Sequence, residues 1–179
     1  MWRRGLPPSA RGALWCMAIG NALGLTDEDF DARIGAAAVG ADVTAAPRRV
    51  SWSTDSDADG GDDKQQREVV LRAQIEMDLQ RTMPTIGNFS RGGDLEAPLR
   101  NVLLAYAHTR PHLSYVQGMS HLAAALLLVM PPPRAWACMV NLLDAHHFQE
   151  FYSMDLGAIS VHSSVFGELL QQFMPEVVV

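Results

Sequence analysis

Two polar residues of this 179-residue chain stand in settings suited to chemistry on a phosphoryl group. Arg81 closes the stretch Gln74-Ile75-Glu76-Met77-Asp78-Leu79-Gln80-Arg81-Thr82-Met83-Pro84. Gln117 lies in Ser114-Tyr115-Val116-Gln117-Gly118-Met119-Ser120-His121-Leu122. GTP hydrolysis commonly needs these two side-chain types: the arginine neutralises charge on the transferring phosphoryl group and the glutamine orients the attacking water. The chain carries neither a Gly-x-x-x-x-Gly-Lys-Ser/Thr loop nor a Gly-x-Gly-x-x-Gly turn after a strand, so a nucleotide site of its own is not expected. The pair therefore reads as two groups lent to a GTPase partner. A plainer reading stands beside it. Arg81 can be a cation at a helix C-terminus, where the dipole favours it by about 0.3–1 kcal/mol. Gln117-Gly118 can be helix-start chemistry, with Tyr115 and Met119 as core packing.

The elements that must hold these residues read as helices. Leu14, Trp15, Ala18 and Ile19 mark a first helix over 11–24, and Thr26-Asp27-Glu28-Asp29 reads as the cap of a second. Leu71, Ile75 and Leu79 recur every fourth residue, which predicts a helix from near Arg67 to about Met83 that ends at Pro84. Asp78 and Arg81, three apart, can meet on its surface, with Arg81 in the last turn. Gly87 to Gly93 reads as a loop. Helices follow over 95–109 (Leu99, Val102, Leu103 and Tyr106 inward), from Gln117 or Gly118 to Met130 (Leu122, Leu126, Leu127 and Met130 inward), over 134–143 through Trp136, Val140 and Leu143, and over 161–173 carrying Val165, Leu169 and Phe173. No alternating strand pattern and no internal repeat is visible, so the fold class is all-α.

One stretch breaks the pattern. Residues 35–66 are rich in Ala, Gly, Ser and Asp, with acid at Asp55, Asp57, Asp59, Asp62 and Asp63 and few large apolar groups. Such a segment buries too little to offset chain entropy, and is expected to be a flexible acidic insertion over about 36–66.

Composition narrows the function further. A net charge of −6 and the lack of a basic stripe argue against nucleic acid. The wholly apolar run from Leu122 to Met130 is far short of the roughly 20 residues that span a bilayer, and Pro131-Pro132-Pro133 stop it. Cys16 and Cys138, far apart in apolar helix-like stretches, read as reduced thiols of an intracellular protein with no secretory signal. His146-His147 near Glu150 lacks a second ligand group at zinc spacing, so no metal is expected there.

Three blocks taken together resemble the TBC domain family, the helical GTPase-activating proteins for Rab GTPases. Gly5-Leu6-Pro7-Pro8-Ser9-Ala10-Arg11-Gly12-Ala13-Leu14-Trp15, with Gly20-Asn21, looks like that family's entry helix. Ile75-x-x-Asp78-x-x-Arg81-Thr82 resembles its arginine-finger motif, and Tyr115-x-Gln117-Gly118-Met119 its glutamine-finger motif, in the family's order. The resemblance implies that Arg81 enters the partner's nucleotide site and that Gln117 replaces the GTPase's own glutamine. Asp78 would hold the finger, and Tyr115 and Gly118 would shape the backbone around Gln117. It also implies an activator with no nucleotide site or cofactor of its own, GTP and Mg²⁺ belonging to a GTP-bound Rab-type partner. Its setting would be cytoplasmic and peripheral to endomembranes, in vesicle trafficking. Such domains continue through several more helices, so residues 1–179 are expected to be a partial domain whose C-terminal helices are missing. The alternative is a non-catalytic Rab-binding module or an inactive fragment that keeps the helical fold.

Overall fold

The computed structural model describes residues 5–39, 62–145, 148–153 and 156–177. Among them every regular element is helical, as expected: α1 Pro8–Ile19, α2 Asp27–Val39, α3 Asp62–Leu79, α4 Glu96–Thr109, α5 Met119–Leu127, α6 Pro132–Asp144, α7 Phe148–Tyr152 and α8 Leu156–Phe173. The chain divides into two units, Met1–Asn141 and Leu142–Val179.

In the first unit α4 is the central helix, with α2, α3 and α5 packed against it. The predicted stripe Leu99, Val102, Leu103 and Tyr106 is buried, and so are Leu104, Ala105 and Ala107. The helix is therefore enclosed on more than one face, which a single amphipathic stripe does not reveal. Ile75 and Leu79 of α3, Leu126 and Leu127 of α5 and Trp136, Met139 and Val140 of α6 complete the core. Burial of each large apolar side chain contributes roughly 1.5–3 kcal/mol. Phe30 of α2 meets Trp136 with ring centroids 5.8 Å apart.

Helix ends follow local chemistry. The Thr26 backbone N–H and hydroxyl both donate to Asp29 Oδ2 at 2.9 Å, and the Asp29 N–H returns a 3.2 Å bond to Thr26 Oγ1. This is a reciprocal box that starts α2 where the sequence placed it. α1 stops at Ile19, short of Gly24, because Gly20 turns to φ 76° while its N–H bonds Cys16 O at 2.8 Å. No residue of α1 is buried. It lies close to the segment after α5: a Cβ on Gly12 would sit 2.1 Å from the Val129 carbonyl oxygen, so only glycine permits this approach. The Asn21 side chain closes the turn to Leu25, and Asn141 Nδ2 of α6 donates to Asn21 Oδ1 at 3.0 Å.

Several boundaries differ from expectation. α5 ends at Leu127 rather than Met130, and α6 begins on Pro132 rather than Arg134. Proline suits the first helical turn, where its missing N–H has no intrahelical partner anyway. The prolines thus stop one helix and start the next. Residues 40–61 of the expected insertion lie outside the described residues. At its margins α2 continues to Val39 and α3 begins at Asp62, and the run Ala36-Ala37-Ala38 suits a helix.

In the second unit α7, which the sequence did not suggest, precedes α8. Glu150 Oε2 lies 2.7 Å from His162 Nε2, and Phe151 stacks on the His162 ring at 5.2 Å. The last helix is present, starting at Leu156 rather than Val161, and Val165, Leu169 and Phe173 on it are exposed. Within this unit a five-residue α7 offers too little surface to cover an 18-residue helix.

Candidate functional site

Asp78 is the junction of the site. It stands in the last turn of α3, between the buried residues Ile75 and Leu79, and is itself only 2% exposed. A buried carboxylate is costly unless donors surround it, and three converge here. Arg81 Nη2 donates to Oδ1, the Tyr115 hydroxyl donates to Oδ2, and the Gly118 N–H reaches Oδ2 at 3.3 Å. Burial pushes the Asp78 carboxyl upward, but the Tyr115, Arg81 and Gly118 donors outweigh it and hold the group below the usual carboxylate range. Burial, and then the bond to the Asp78 anion, push the Tyr115 phenol well above its ordinary value. The phenol therefore stays a donor at neutral pH.

The arginine segment departs from the sequence reading in one respect. α3 ends at Leu79, so Arg81 sits in the turn beyond it and not in the last helical turn. The Arg81 N–H bonds Asp78 O at 3.1 Å and the Thr82 N–H bonds Leu79 O at 3.2 Å, which tightens the exit. Met83 then takes φ 45°, a left-handed conformation that places it before Pro84 and prevents further helix. The Arg81 side chain is 55% exposed, while its Asp78 partner is 3% exposed. A fixed base thus carries a protruding guanidinium.

The glutamine segment is set by Gly118. Its φ of 97° at the N-terminus of α5 is a conformation that disfavours any side chain. Gln117 precedes it and is exposed, while Tyr115 and Met119 on either side are buried. Tyr115 and Met119 are thus core, as a plain packing reading has it, yet the Tyr115 hydroxyl also serves the site.

Asp78, Arg81, Tyr115 and Gly118 come together as one hydrogen-bonded cluster, with Gln117 adjoining it through the backbone. One pair escaped the sequence. The Thr82 hydroxyl lies 2.6 Å from Asp78 O and 2.8 Å from the Ser120 hydroxyl, all buried. Small polar residues beside the two motifs were the only signal, because the contact joins positions 38 residues apart. Arg100, by contrast, is held between Glu76 and Glu96 and ties α3 to α4.

Among the described residues no group of three or more His, Cys, Asp or Glu could hold a metal ion. His146 and His147 lie outside those residues. No described helix is long and apolar enough to cross a membrane.

Comparison with known proteins places the chain in a family. The Rab-GTPase-TBC domain model matches residues 8–179. The chain is 35% identical to TBC1 domain family member 14 of Bos taurus, covering 98% of this chain and 25% of that protein. It is 31% identical to TBC1 domain family member 12 of Xenopus tropicalis, again over 98% of this chain and 25% of the relative. Drainin of Dictyostelium discoideum is 31% identical over 96% of this chain and 45% of its own length. The chain thus spans about a quarter of the TBC1 relatives and under half of Drainin. With the family model matching nearly its whole length, the chain belongs to the Rab-GTPase-TBC domain family.

Proposed function

We propose that this chain is a GTPase-activating domain for a Rab-type small GTPase, supplying Arg81 and Gln117 in trans to the GTP-bound partner. The observation that carries the reading is the Asp78 carboxylate, which binds the Arg81 guanidinium and, on the glutamine segment, chiefly the Tyr115 hydroxyl together with the Gly118 N–H next to Gln117. One buried anion therefore sets the spacing between the two groups that the reaction needs. A guanidinium has five N–H donors, and the contact with Asp78 occupies Nη2. The remaining donors are free to meet phosphoryl oxygens as charge develops on them. Gln117, exposed at the start of α5, presents an amide that both donates to and accepts from an attacking water.

An arginine supplied in trans accelerates such hydrolysis about 10³–10⁵-fold. GTP and Mg²⁺ belong to the partner, and this chain contributes no cofactor. Docking on a membrane-attached Rab would bring the domain to an endomembrane, in keeping with a role in vesicle trafficking.

The test is GTP hydrolysis by a panel of GTP-loaded Rab proteins, with and without the chain and its Arg81→Ala variant. Stimulation of one or a few Rabs, abolished by the substitution, is the expected result. A chain folded by circular dichroism that binds Rabs and stimulates none would replace this reading with a binding-only module.

A further inference from the structure

The two cysteines are 122 positions apart in the chain, yet their sulfurs lie 3.5 Å from each other. Cys138 Sγ on α6 faces Cys16 Sγ on α1, and Cys16 Sγ in turn lies 3.9 Å from Met130 Sδ. Cys138 is buried and Cys16 only partly so. Both belong to the first unit. A disulfide needs an S–S separation of about 2.05 Å, so closure requires a shift of the sulfurs of roughly 1.5 Å.

We propose that Cys16 and Cys138 form a reversible intramolecular disulfide, an oxidative modification site that staples α1 to α6.

The order of events follows from access. Cys16, the half-buried sulfur, meets the oxidant first. With oxidised glutathione as oxidant, the Cys16 thiolate attacks one glutathione sulfur, forms a mixed disulfide and expels one glutathione thiolate. Cys138 then gives its proton to solvent and attacks Cys16 Sγ, expelling the second glutathione thiolate. The protein loses two thiol protons and two electrons, and glutathione disulfide takes up both to become two glutathione thiols. Burial, and then the neighbouring Cys16, push the Cys138 thiol up to about 12, so the second step is slow at neutral pH and quickens as pH rises.

The consequence lies in what α1 lacks. None of its residues is buried, and its attachments include the close approach of Gly12 to Val129, the Cys16 contacts with Met130 and Cys138, and the Asn21–Asn141 contact just beyond its end. A covalent bond to α6 would secure a helix that buries none of its residues. In a reducing compartment such a bond is transient and reports redox state.

The test treats the reduced chain with oxidised glutathione at pH 7.5 and pH 9. It reads intact mass, non-reducing peptide maps and thermal unfolding. Expected are a monomer lighter by two hydrogens, a Cys16–Cys138 linked peptide formed faster at the higher pH, and a rise in Tm on the order of 10 °C that dithiothreitol reverses, as a closed loop of over 100 residues implies. A Cys138→Ala chain should stop at a stable glutathione adduct on Cys16. The proposal is overturned if the wild-type chain keeps both thiols, halts at the adduct, or links only between molecules. The wild-type peptide map decides this even where Cys138→Ala fails to fold.

Discussion

The buried carboxylate at Asp78 offers the sharpest quantitative test of how the site is built. Replacing it with asparagine keeps the shape but removes the charge that the Tyr115 hydroxyl, the Arg81 guanidinium and the Gly118 N–H all address. Hydrogen bonds to a charged group are worth about 1.5–3 kcal/mol each. The Arg81 contact must be discounted, because its side chain is 55% exposed and such ion pairs typically give about 0–1 kcal/mol. The Gly118 bond is long at 3.3 Å and is weak. The Tyr115 bond, buried at both ends, dominates. We expect Asp78→Asn to cost about 2–3 kcal/mol and Tyr115→Phe about 1–3 kcal/mol. The double variant should cost less than their sum, with a coupling energy of about 1–2 kcal/mol. Urea denaturation of the four proteins measures the cycle. Strict additivity, within about 0.3 kcal/mol, would refute the claim that Asp78 organises the glutamine segment through Tyr115.

Other outcomes follow from the same geometry. The Asp78 carboxyl titrates below its unfolded value, so its stabilising contribution is full above about pH 4 and is lost as pH falls through the lower folded value; Asp78→Asn should flatten this acid limb of denaturation midpoint against pH. Arg81→Ala should lower the chain's stimulation of GTP hydrolysis by a Rab about 10³-fold or more, and Gln117→Ala should also lower it by orders of magnitude. Both side chains are exposed, so Gln117→Ala should change stability by no more than about 0.5 kcal/mol and Arg81→Ala, which gives up the contact with Asp78, by no more than about 1 kcal/mol; loss of activity only through unfolding would count against the finger assignment. Leu126→Ala, at a position 2% exposed in the core, should cost about 2–5 kcal/mol in urea denaturation, the opposite profile to Arg81→Ala. Thr82→Val removes one partner of the buried hydroxyl pair and should cost about 1–3 kcal/mol; an unchanged melt would mean that the Thr82–Ser120 contact contributes nothing to the site.

The sequence by itself determined what depends on neighbours a few residues apart. The four-residue recurrence of Leu71, Ile75 and Leu79, the stripe on α4 and the Thr26 box all act within one or two helical turns, so periodicity and capping chemistry make them legible. The motifs around Arg81 and Gln117 were legible as side-chain types in order, and Asp78 as a partner for Arg81 three residues away. Only the tertiary structure decided where those motifs meet. Asp78 finds Tyr115 37 residues on and Gly118 40 residues on, and Thr82 finds Ser120 across 38. Each of these is a choice made by the packing of α3 against α5 through α4, which no local pattern encodes. The same holds for the ends of helices. Pro132 reads locally as a breaker but starts α6, and α3 gives way before Arg81 once Met83 turns left-handed ahead of Pro84. The two thiols, unremarkable apart, become a pair because α1 and α6 bring residues 122 positions apart within 3.5 Å. Local propensity chooses the helices, but the burial of their apolar faces against one another chooses which polar groups are left together. That choice depends on the whole chain at once.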